Sequence, residues 1–398
     1  MMLDYMKFLA PRLVGYKMAM MGLRKYPPHP VVLNFSITNK CQSRCKTCNI
    51  WELYQKNPQK EREELQTWEV EKIFKTEHDM FLLNICGGEP FLRHEDIGDI
   101  CKYAVKYCNA RAIHSPTNCL APENIEYGVR DILSKIPSNV KLTIKMSLDG
   151  IGGDHDAIRG VEGNFKKVLD AHDRLVKIRD EHPNLYVDAG TTLSTMNAHK
   201  LPDIIKWVHD NMKLDNFYHE IADTRAELFN VDPKEGENVP TDFNKVVKDL
   251  KVTPTGQQYW DIAHFLQEEA SKEMLTKRDF SRISQALRIT YYDRAAWVQK
   301  NQKRKVKCYA AMSNAHLNPW GDLWPCNVQA FRQSLGNVRD FDYNFDKLWK
   351  SAQAQKVREW VSQENCFCPL VGQAMVDTLL DPKEVMKTLN IYFKNKKK

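Results

Sequence analysis

The sequence predicts an α/β protein built around a parallel sheet. Between residues 31 and 222, short runs rich in β-branched and aromatic residues alternate with segments whose apolar residues recur at helical spacing. Such an alternation is typical of successive β/α units, which form either an open doubly wound sheet or a partial barrel. In both folds ligands bind at the carboxyl ends of the strands. The 398-residue chain, of which 42% is hydrophobic, is long enough for two or three folding units.

The alternating region contains six predicted strands and five predicted helices. The strands run over residues 31–37, 80–86, 111–117, 140–148, 185–193 and 214–221. The helices run over residues 67–77, 96–108, 123–135, 163–180 and 199–211. Beyond them, residues 223–258 are polar and loop-like, and residues 259–304 have the pattern of charged helices. After Cys308, the segment from Pro319 to Asp322 predicts a turn between two short strands.

The net charge of +7 is concentrated at the two ends of the chain. The first 26 residues mix Met, Leu, Phe and Tyr with Lys and Arg, and Pro11 is expected to interrupt their helical pattern. This segment is typical of an amphipathic helix, either packed on a domain or lying on a membrane surface. The lysine-rich tail is typical of a solvated end. Because no long apolar run or secretory signal is present, we expect a cytoplasmic protein, with peripheral membrane contact left open.

Seven of the 11 cysteines fall into two groups, and grouped cysteines in a reducing compartment are more often metal ligands than disulfides. The first group is Cys41, Cys45 and Cys48, and the second is Cys308, Cys326, Cys366 and Cys368. The other four, Cys86, Cys101, Cys108 and Cys119, are scattered through apolar stretches. We expect these four to be small buried hydrophobic residues.

The first cysteine group has a spacing of four and then three residues and lacks a nearby fourth ligand. Zinc requires four ligands in structural sites, whereas three thiolates on a 4Fe–4S cluster would leave one iron open. This CxxxCxxC spacing after the first strand resembles the signature of the radical S-adenosylmethionine (SAM) superfamily. The resemblance covers most of residues 31–221. It implies a partial (β/α)6 barrel and a 4Fe–4S cluster, held by Cys41, Cys45 and Cys48, that binds SAM.

Three further segments at strand ends resemble motifs of the same superfamily. Gly87, Gly88, Glu89 and Pro90 resemble its GGE motif, which implies that Glu89 and the adjacent backbone hold the SAM ammonium group. Thr117 and Asn118 resemble its TNG motif, although Cys119 replaces the glycine. Residues 147–160, SLDGIGGDHDAIRG, resemble its SxDG and HDxxRG motifs. That match implies that Ser147 and Asp149 lie near the ribose or the substrate and that Arg159 pairs with the SAM carboxylate. An ordinary turn and a surface charge are the alternative for this last segment.

The second cysteine group resembles the SPASM extension in its shortened twitch form. Twelve residues separate Cys308 from Gly321 and four separate Gly321 from Cys326, as at the opening of a SPASM domain. Cys366 and Cys368 would complete the ligands of one auxiliary 4Fe–4S cluster. Their CxC spacing departs from the more usual CxxC, and a zinc ribbon is the alternative. The expected divisions are an N-terminal segment (1–30), the barrel (31–222), a helical insertion or linker (223–304), the twitch domain (305–372), and a C-terminal helix with a basic tail (373–398).

The resemblance implies a radical SAM oxidoreductase-type enzyme. It would cleave SAM to a 5′-deoxyadenosyl radical, abstract a substrate hydrogen and oxidise the substrate radical through the auxiliary cluster. A flavodoxin or ferredoxin would supply electrons. We expect a small metabolite, a sugar or aminocyclitol, or a lipid-linked molecule as substrate and no nucleic acid partner, with a peptide- or protein-modifying maturase as the alternative. A zinc-stabilised binding protein is the alternative of another class. Tyr218, His219 and Glu220, with Asp223 and Arg225 beyond them, are candidates for proton transfer or substrate binding.

Overall fold

A nine-stranded sheet organises the structure, a computed structural model that describes residues 2–222, 252–276, 279–364 and 366–394. The strands are β1 (Val32–Thr38), β2 (Leu82–Gly87), β3 (Ala112–Thr117), β4 (Lys141–Ser147), β5 (Leu185–Leu193), β6 (Asn216–Ile221), β7 (Asn314–Leu317), β8 (Asp322–Trp324) and β9 (Gly336–Asn337). Their order across the sheet is β6-β5-β4-β3-β2-β1-β7-β8-β9. Neighbours from β6 to β1 pair in parallel, which confirms the predicted α/β class and is consistent with a partial barrel.

Fifteen helices can be named among the described residues. They are α1 (Met2–Met20), α2 (Leu53–Lys56), α3 (Gln59–Arg62), α4 (Thr67–Phe74), α5 (Ile97–Cys108), α6 (Pro122–Lys135), α7 (Gly153–Arg159), α8 (Asn164–Glu181), α9 (Leu201–Asn211), α10 (Gly256–Thr276), α11 (Asp279–Asn301), α12 (Phe345–Trp349), α13 (Ala352–Ser362), α14 (Val371–Leu380) and α15 (Pro382–Lys394). All five helices predicted for the alternating region form, with ends shifted by at most three residues. No described helix is both long and apolar enough to span a membrane.

The two faces of the parallel sheet differ in polarity. On β1, Leu33, Phe35 and Ile37 are fully buried in the main hydrophobic core, and the Phe35 ring meets Phe74 of α4 edge to face. Alternate positions on the same strand, such as Asn34, face the other way. The apolar face therefore packs on the helices, and the opposite face carries the polar residues.

The N-terminal helix continues past Pro11, so the prediction that this proline interrupts the helix is wrong. Phe8 and Tyr16, on either side of it, are both buried in a second core cluster with Val31 and Val376. Packing on both sides of the proline stabilises the two halves as one helix despite the lost backbone hydrogen bond.

The C-terminal strands extend the sheet from β1. Strand β7 pairs in parallel with β1, while β7, β8 and β9 form an antiparallel meander. The predicted turn joins β7 to β8, and Asn318 Oδ1 accepts hydrogen bonds from the backbone N–H groups of Trp320 (2.9 Å) and Asp322 (2.8 Å). The cysteine-bearing C-terminal region is therefore built directly onto the first strand of the sheet. The division into five segments stays a prediction, and residues 223–251 lie outside the described part of the chain.

Candidate active site

The loop that carries the first cysteine group follows β1 and is held on one side by the two glycines after β2. The backbone N–H groups of Gly88 and Glu89 donate to the carbonyls of Thr38 and Lys40, both at 2.8 Å. A Cβ on Gly87 would lie 2.0 Å from the Thr38 oxygen, and a Cβ on Gly88 would lie 2.2 Å from the Lys40 oxygen. Only glycine permits this approach, so the GGE segment positions the cysteine loop.

The other side of the cysteine loop is held by the end of α7. The N–H of Arg44 donates to the carbonyl of Arg159 (3.1 Å), and the N–H of Lys46 donates to the carbonyl of Ile158 (2.9 Å). Gly160 has a φ of +68°, and a Cβ there would lie 2.2 Å from the Arg44 oxygen. The two motifs that sequence analysis associated with SAM therefore also hold the cysteine loop, one just before Cys41 and the other between Cys41 and Cys48.

Glu89 lies buried at the centre of the strand ends, only 2% exposed. Its carboxylate accepts hydrogen bonds from the N–H of Asn118 (2.7 Å), the hydroxyl of Thr117 (3.0 Å) and the N–H of Phe91 (3.2 Å). Burial raises the pKa of Glu89 to about 7 although these hydrogen bonds act in the opposite direction. A cationic ligand beside this carboxylate would favour its charged form, so the site suits an ammonium group.

Arg159 lies between Asp149 and the cysteine loop. Its Nε atom is 2.9 Å from Asp149 Oδ2, and its Nη1 atom donates to Cys45 Sγ at 3.3 Å. Burial alone would lower the pKa of Arg159, but the charges of Asp149 and Cys45 raise it above its usual value. The guanidinium therefore stays charged and in contact with the first cysteine group.

A network of buried polar groups joins the remaining motif residues. Asn118 Nδ2 contacts Cys41 Sγ at 3.6 Å, and its carbonyl accepts a hydrogen bond from Asn164 Nδ2 (2.9 Å). His155 Nε2 lies 3.0 Å from Asn164 Oδ1, and its Nδ1 accepts a hydrogen bond from the N–H of Asp149 (3.2 Å). The acceptor role of Nδ1 assigns the proton of the neutral imidazole to Nε2. The network fixes the end of β3 relative to the end of β4.

The remaining predicted SAM-site residues lie at the same strand ends. Ser147 is the last residue of β4, half-buried and paired with Gly190. Pro90 is buried and opens a short 3₁₀ turn after Glu89. Cys119, which replaces the glycine of the TNG motif, takes the left-handed conformation with a φ of +63°. The backbone thus adopts a glycine-like geometry there without glycine.

The four cysteines of the second group line a cavity of about 280 Å³ together with the polar face of the sheet. Its strand residues include Asn34, Asn84, Cys86, His114, Lys145 and Glu220. Cys368 and Cys326 lie close enough to Cys308 to act on it electrostatically. Arg304 contacts the sulfur of Cys366. The structure thus gathers all four sulfurs at one wall, opposite β2, β3 and β4.

Polar side chains form a hydrogen-bonded row across the sheet wall of this cavity. Asn84 Nδ2 donates to Asn34 Oδ1 (2.7 Å), and Asn84 Oδ1 lies 2.7 Å from His114 Nδ1. The amide oxygen can only accept, so His114 carries its proton on Nδ1 and leaves Nε2 as an acceptor. Burial, and then the charge of Lys145, lowers the pKa of His114 to about 3. Lys145 itself pairs with Glu220, Nζ to Oε1 at 3.1 Å.

The three candidates for proton transfer on β6 face different surroundings. Glu220 lines the cavity. His219 points to the opposite side, where its ring meets Phe217 edge to face at 4.5 Å, and Tyr218 lies under the guanidinium of Arg288 at 4.4 Å. Of these three residues only Glu220 lines the cavity. The alternation of side chains along a strand turns His219 to the other face, whereas Tyr218 shares the face of Glu220 but packs against Arg288. Asp223 and Arg225 lie outside the described residues.

Sequence analysis missed the polar row and misjudged one cysteine. Asn34, Asn84 and His114 interrupt apolar strands at alternate positions, a signal of a polar barrel face that was available in the sequence. Cys86 was expected to be a buried hydrophobic residue, but it is half-buried and lines the cavity because its side chain leaves β2 on the polar face. Cys101, Cys108 and Cys119 are fully buried, as expected.

Neither cysteine group converges tightly enough for a single ion. Within residues 2–222, 252–276, 279–364 and 366–394, only His29, His78 and Asp346 bring three ligand atoms within 4.8 Å of one another. Sulfurs around one tetrahedral zinc would be ~3.8 Å apart, given zinc–sulfur bonds of about 2.3 Å. Among the described residues, no three cysteine sulfurs lie that close together.

The burial of Cys41 also bears on metal binding. Burial, and then the negative charge of Glu89, raises the pKa of this thiol to about 12. Without a metal the thiol is protonated, and metal binding releases that proton.

Two curated proteins are similar to the chain. It is 23% identical over 382 residues to the antilisterial bacteriocin subtilosin biosynthesis protein AlbA of Bacillus subtilis (strain 168), covering 92% of this chain and 72% of the relative. It is 30% identical over 194 residues to the pre-heme d1 synthase of Dinoroseobacter shibae, covering 48% of this chain and 43% of that relative. No protein-family model matches the chain.

Solved structures share the fold. Histidine-tagged anSMEcpe with bound AdoMet superimposes with a TM-score of 0.53 at 12% identity, covering 92% of this chain and 97% of that one. Streptococcus suis SuiB bound to precursor peptide SuiA also gives 0.53 at 12% identity, covering 85% and 69%. The CxxxCxxC loop at the end of β1 and the GGE backbone beside it agree with these similarities. Together they support the radical SAM superfamily. They also support the binding of SAM and an iron–sulfur cluster.

Proposed function

We propose that this radical SAM enzyme oxidises a carbon centre of its substrate in the cavity between the sheet and the second cysteine group. The observation that carries the proposal is the shared wall. Cys308, Cys326, Cys366 and Cys368 line the same cavity as Asn84, His114 and Glu220. A substrate in that cavity would lie beside the second cysteine group and against the polar face of the sheet, whose strand ends carry the first cysteine group.

The residues at the strand ends suit a SAM-binding cluster. Cys41, Cys45 and Cys48 supply three thiolates and leave one iron for SAM. When bound, this cluster and SAM supply a 5′-deoxyadenosyl radical that removes a substrate hydrogen, and a cluster on the second cysteine group supplies a one-electron acceptor. The protein positions the reactants and excludes water.

Four groups of this chain would orient SAM. Glu89 accepts three hydrogen bonds from the protein and retains lone pairs for the SAM ammonium group. Arg159, held by Asp149, would face the SAM carboxylate. Ser147 and Asn118 would contact the ribose or the substrate from the ends of β4 and β3.

His114 is the group best placed to accept a proton when the substrate is oxidised. Its Nδ1–H is held by Asn84 and its ring lines the cavity, so Nε2 can accept. Burial keeps the imidazole neutral across the physiological range, but a pKa of about 3 makes it a weak base, so it would take only a proton that oxidation of the substrate radical has made strongly acidic. Glu220 lines the same wall, but its carboxylate is paired with Lys145.

Two classes of substrate have separate support. A cavity of about 280 Å³, part of which a cluster on the four cysteines would fill, suits a small molecule or one side chain of a larger one. The relatives favour a peptide, since AlbA acts in the biosynthesis of a bacteriocin and SuiB binds a precursor peptide. Deuterated candidates of each class distinguish them, because the true substrate transfers deuterium to 5′-deoxyadenosine.

Peripheral membrane contact is a further part of the proposal for a cytoplasmic enzyme. Val14, Met18 and Met21 are exposed at helical spacing on and just after α1, and Lys25 lies nearby. Co-sedimentation should be stronger with vesicles containing phosphatidylserine than with phosphatidylcholine alone, and M21E should weaken it. Y127E, which changes an exposed aromatic residue on α6, is the matched control. Equal sedimentation with the two kinds of vesicle would contradict the proposed membrane contact.

Anaerobic reconstitution with iron and sulfide tests the proposed function. We expect about eight irons per chain, from two 4Fe–4S clusters, and 5′-deoxyadenosine after reduction in the presence of SAM. A flavodoxin or ferredoxin should replace the chemical reductant. Two zinc ions per chain without SAM cleavage would refute the proposal and favour a zinc-stabilised binding protein.

A further inference from the structure

The guanidinium of Arg304 holds the segment that ends in Cys366. Its Nε atom donates to the carbonyl of Cys366 (2.6 Å), its Nη1 atom to the carbonyl of Val361 (2.6 Å), and its Nη2 atom to Cys366 Sγ (3.0 Å). The side chain also lines the cavity. All three guanidinium nitrogens therefore donate to the segment from Val361 to Cys366, which carries one ligand of the second cysteine group.

The other charges near the second cysteine group do not cancel this cation. The carboxylate of Asp377 acts on Cys308 and is paired with Arg294, Oδ2 to Nη2 at 3.1 Å. Arg332 acts electrostatically on Cys366 and adds a second positive charge on that side. The field at Cys366 is therefore positive.

A cluster with thiolate ligands becomes more negative by one charge on reduction, and hydrogen bonds to its sulfurs and nearby charges set its potential. A cation 3.0 Å from a ligand sulfur stabilises the reduced form more than the oxidised form. We propose that Arg304 is a positioning residue that raises the reduction potential of the auxiliary cluster. This inference rests on the proposed function, in which that cluster is held by Cys308, Cys326, Cys366 and Cys368.

The role of Arg304 follows from the electron balance of an oxidation. The substrate radical would lose one proton to His114 and one electron to the auxiliary cluster, and a one-electron carrier of the flavodoxin or ferredoxin class would remove that electron afterwards. A higher potential favours transfer from the substrate radical to the cluster. The contact between Arg304 and Cys366 would therefore add to the driving force of this electron transfer.

The test is a redox titration of the auxiliary cluster followed by electron paramagnetic resonance. The full chain with C41A/C45A/C48A retains only the second cysteine group, which isolates its signal. In that background R304Q should lower the equilibrium constant for cluster reduction about tenfold, which is ~59 mV for one electron. R304K keeps the charge and should stay within about threefold of the parent protein.

R130Q is the matched control, because Arg130 pairs with Glu126 and Glu181 on the surface of α6. It should leave the midpoint unchanged. An R304Q protein with about four irons and the parental midpoint would overturn the inference while leaving the proposed function intact. If the R304Q protein does not bind iron, the R304K protein is the test. A tenfold fall in its equilibrium constant for cluster reduction, with the positive charge retained, would also overturn the inference. A parent protein that binds zinc and no iron would overturn both the inference about Arg304 and the proposed function.

Discussion

The backbone N–H of Asn118 donates a 2.7 Å hydrogen bond to Glu89 Oε2, joining the ends of β3 and β2. Two more donors, the N–H of Phe91 and the hydroxyl of Thr117, bind the other oxygen of the same carboxylate. These contacts hold the carboxylate in a fixed orientation toward the cysteine loop. Burial still raises the pKa of Glu89 to about 7, so its charge depends on pH near neutrality.

The affinity for SAM should depend on the charge of Glu89. A carboxylate binds the SAM ammonium group, whereas the protonated acid does not, so protons compete with SAM below the pKa. Affinity should be level above about pH 7 and fall about tenfold for each pH unit below it. Anaerobic calorimetric titration of the reconstituted enzyme between pH 5.5 and 8 measures this. E89Q should bind SAM weakly with a flat profile, and an equally flat profile for the unchanged enzyme would contradict the assignment.

Substitution of Gly88 by alanine should displace the cysteine loop. The added Cβ would lie 2.2 Å from the Lys40 oxygen, so the backbone just before Cys41 must move. We expect G88A to lose most of the iron bound by the first cysteine group, measured in the C308A/C326A/C366A/C368A background.

Gly153 supplies the matched control for that experiment. No heavy atom lies within 4 Å of a Cβ built there, and the residue is helical, at the start of α7. G153A should keep the iron and stabilise the protein by up to about 1 kcal/mol, since alanine favours a helix over glycine. Equal iron content in G88A and the unchanged protein would show that the loop tolerates the added atom.

Removal of the second cysteine group should halve the iron content. C308A/C326A/C366A/C368A should retain about four irons and should still form 5′-deoxyadenosine after reduction with SAM. C101A changes a buried cysteine of α5 and should keep the full iron content. Retention of about eight irons by the quadruple variant would mean that the auxiliary cluster is held elsewhere.

The stability of the folded chain should fall in mild acid because of His155. Burial, and then the charge of Arg159, lowers the pKa of this imidazole to about 4, below its ordinary value of about 6.5. Between these two values the unfolded chain binds a proton that the folded chain does not, so the free energy of unfolding decreases as pH falls. The effect is about 1.4 kcal/mol per pH unit.

Urea unfolding of H155N and the unchanged protein, compared at pH 7 and pH 5, isolates this contribution. His114 and His219, whose pKa values burial also lowers, are common to both proteins and cancel in the difference. The loss of stability between the two pH values should be smaller in H155N. Identical losses would mean that His155 does not remain neutral in the fold.

The parallel sheet and the position of the first cysteine group could be predicted because both depend on local patterns. Alternating apolar runs and helical spacing set the elements, and strand ends set where Cys41 and Glu89 lie. The double role of Gly87 and Gly88 could not be predicted, because the sequence does not reveal that their backbone approaches Thr38 and Lys40.

The cavity wall depends on side-chain direction, which sequence analysis assigned incorrectly in places. His219 and Glu220 are adjacent in sequence, yet a strand sends them to opposite faces. Cys86 follows an apolar run but leaves β2 on the polar face. The approach of Arg304 to Cys366 depends on contacts across 62 residues, which no local pattern specifies.

The central claim is that the open iron left by Cys41, Cys45 and Cys48 binds SAM. Electron–nuclear double resonance of the reduced enzyme measures it directly, using the C308A/C326A/C366A/C368A variant and SAM labelled with ¹⁵N in its amino group and ¹⁷O in its carboxylate. Both labels should show hyperfine coupling to the cluster, because the SAM carboxylate would bind the open iron and the ammonium group, held by Glu89, would lie beside it. A cluster signal that is unchanged by labelled SAM would contradict the assignment.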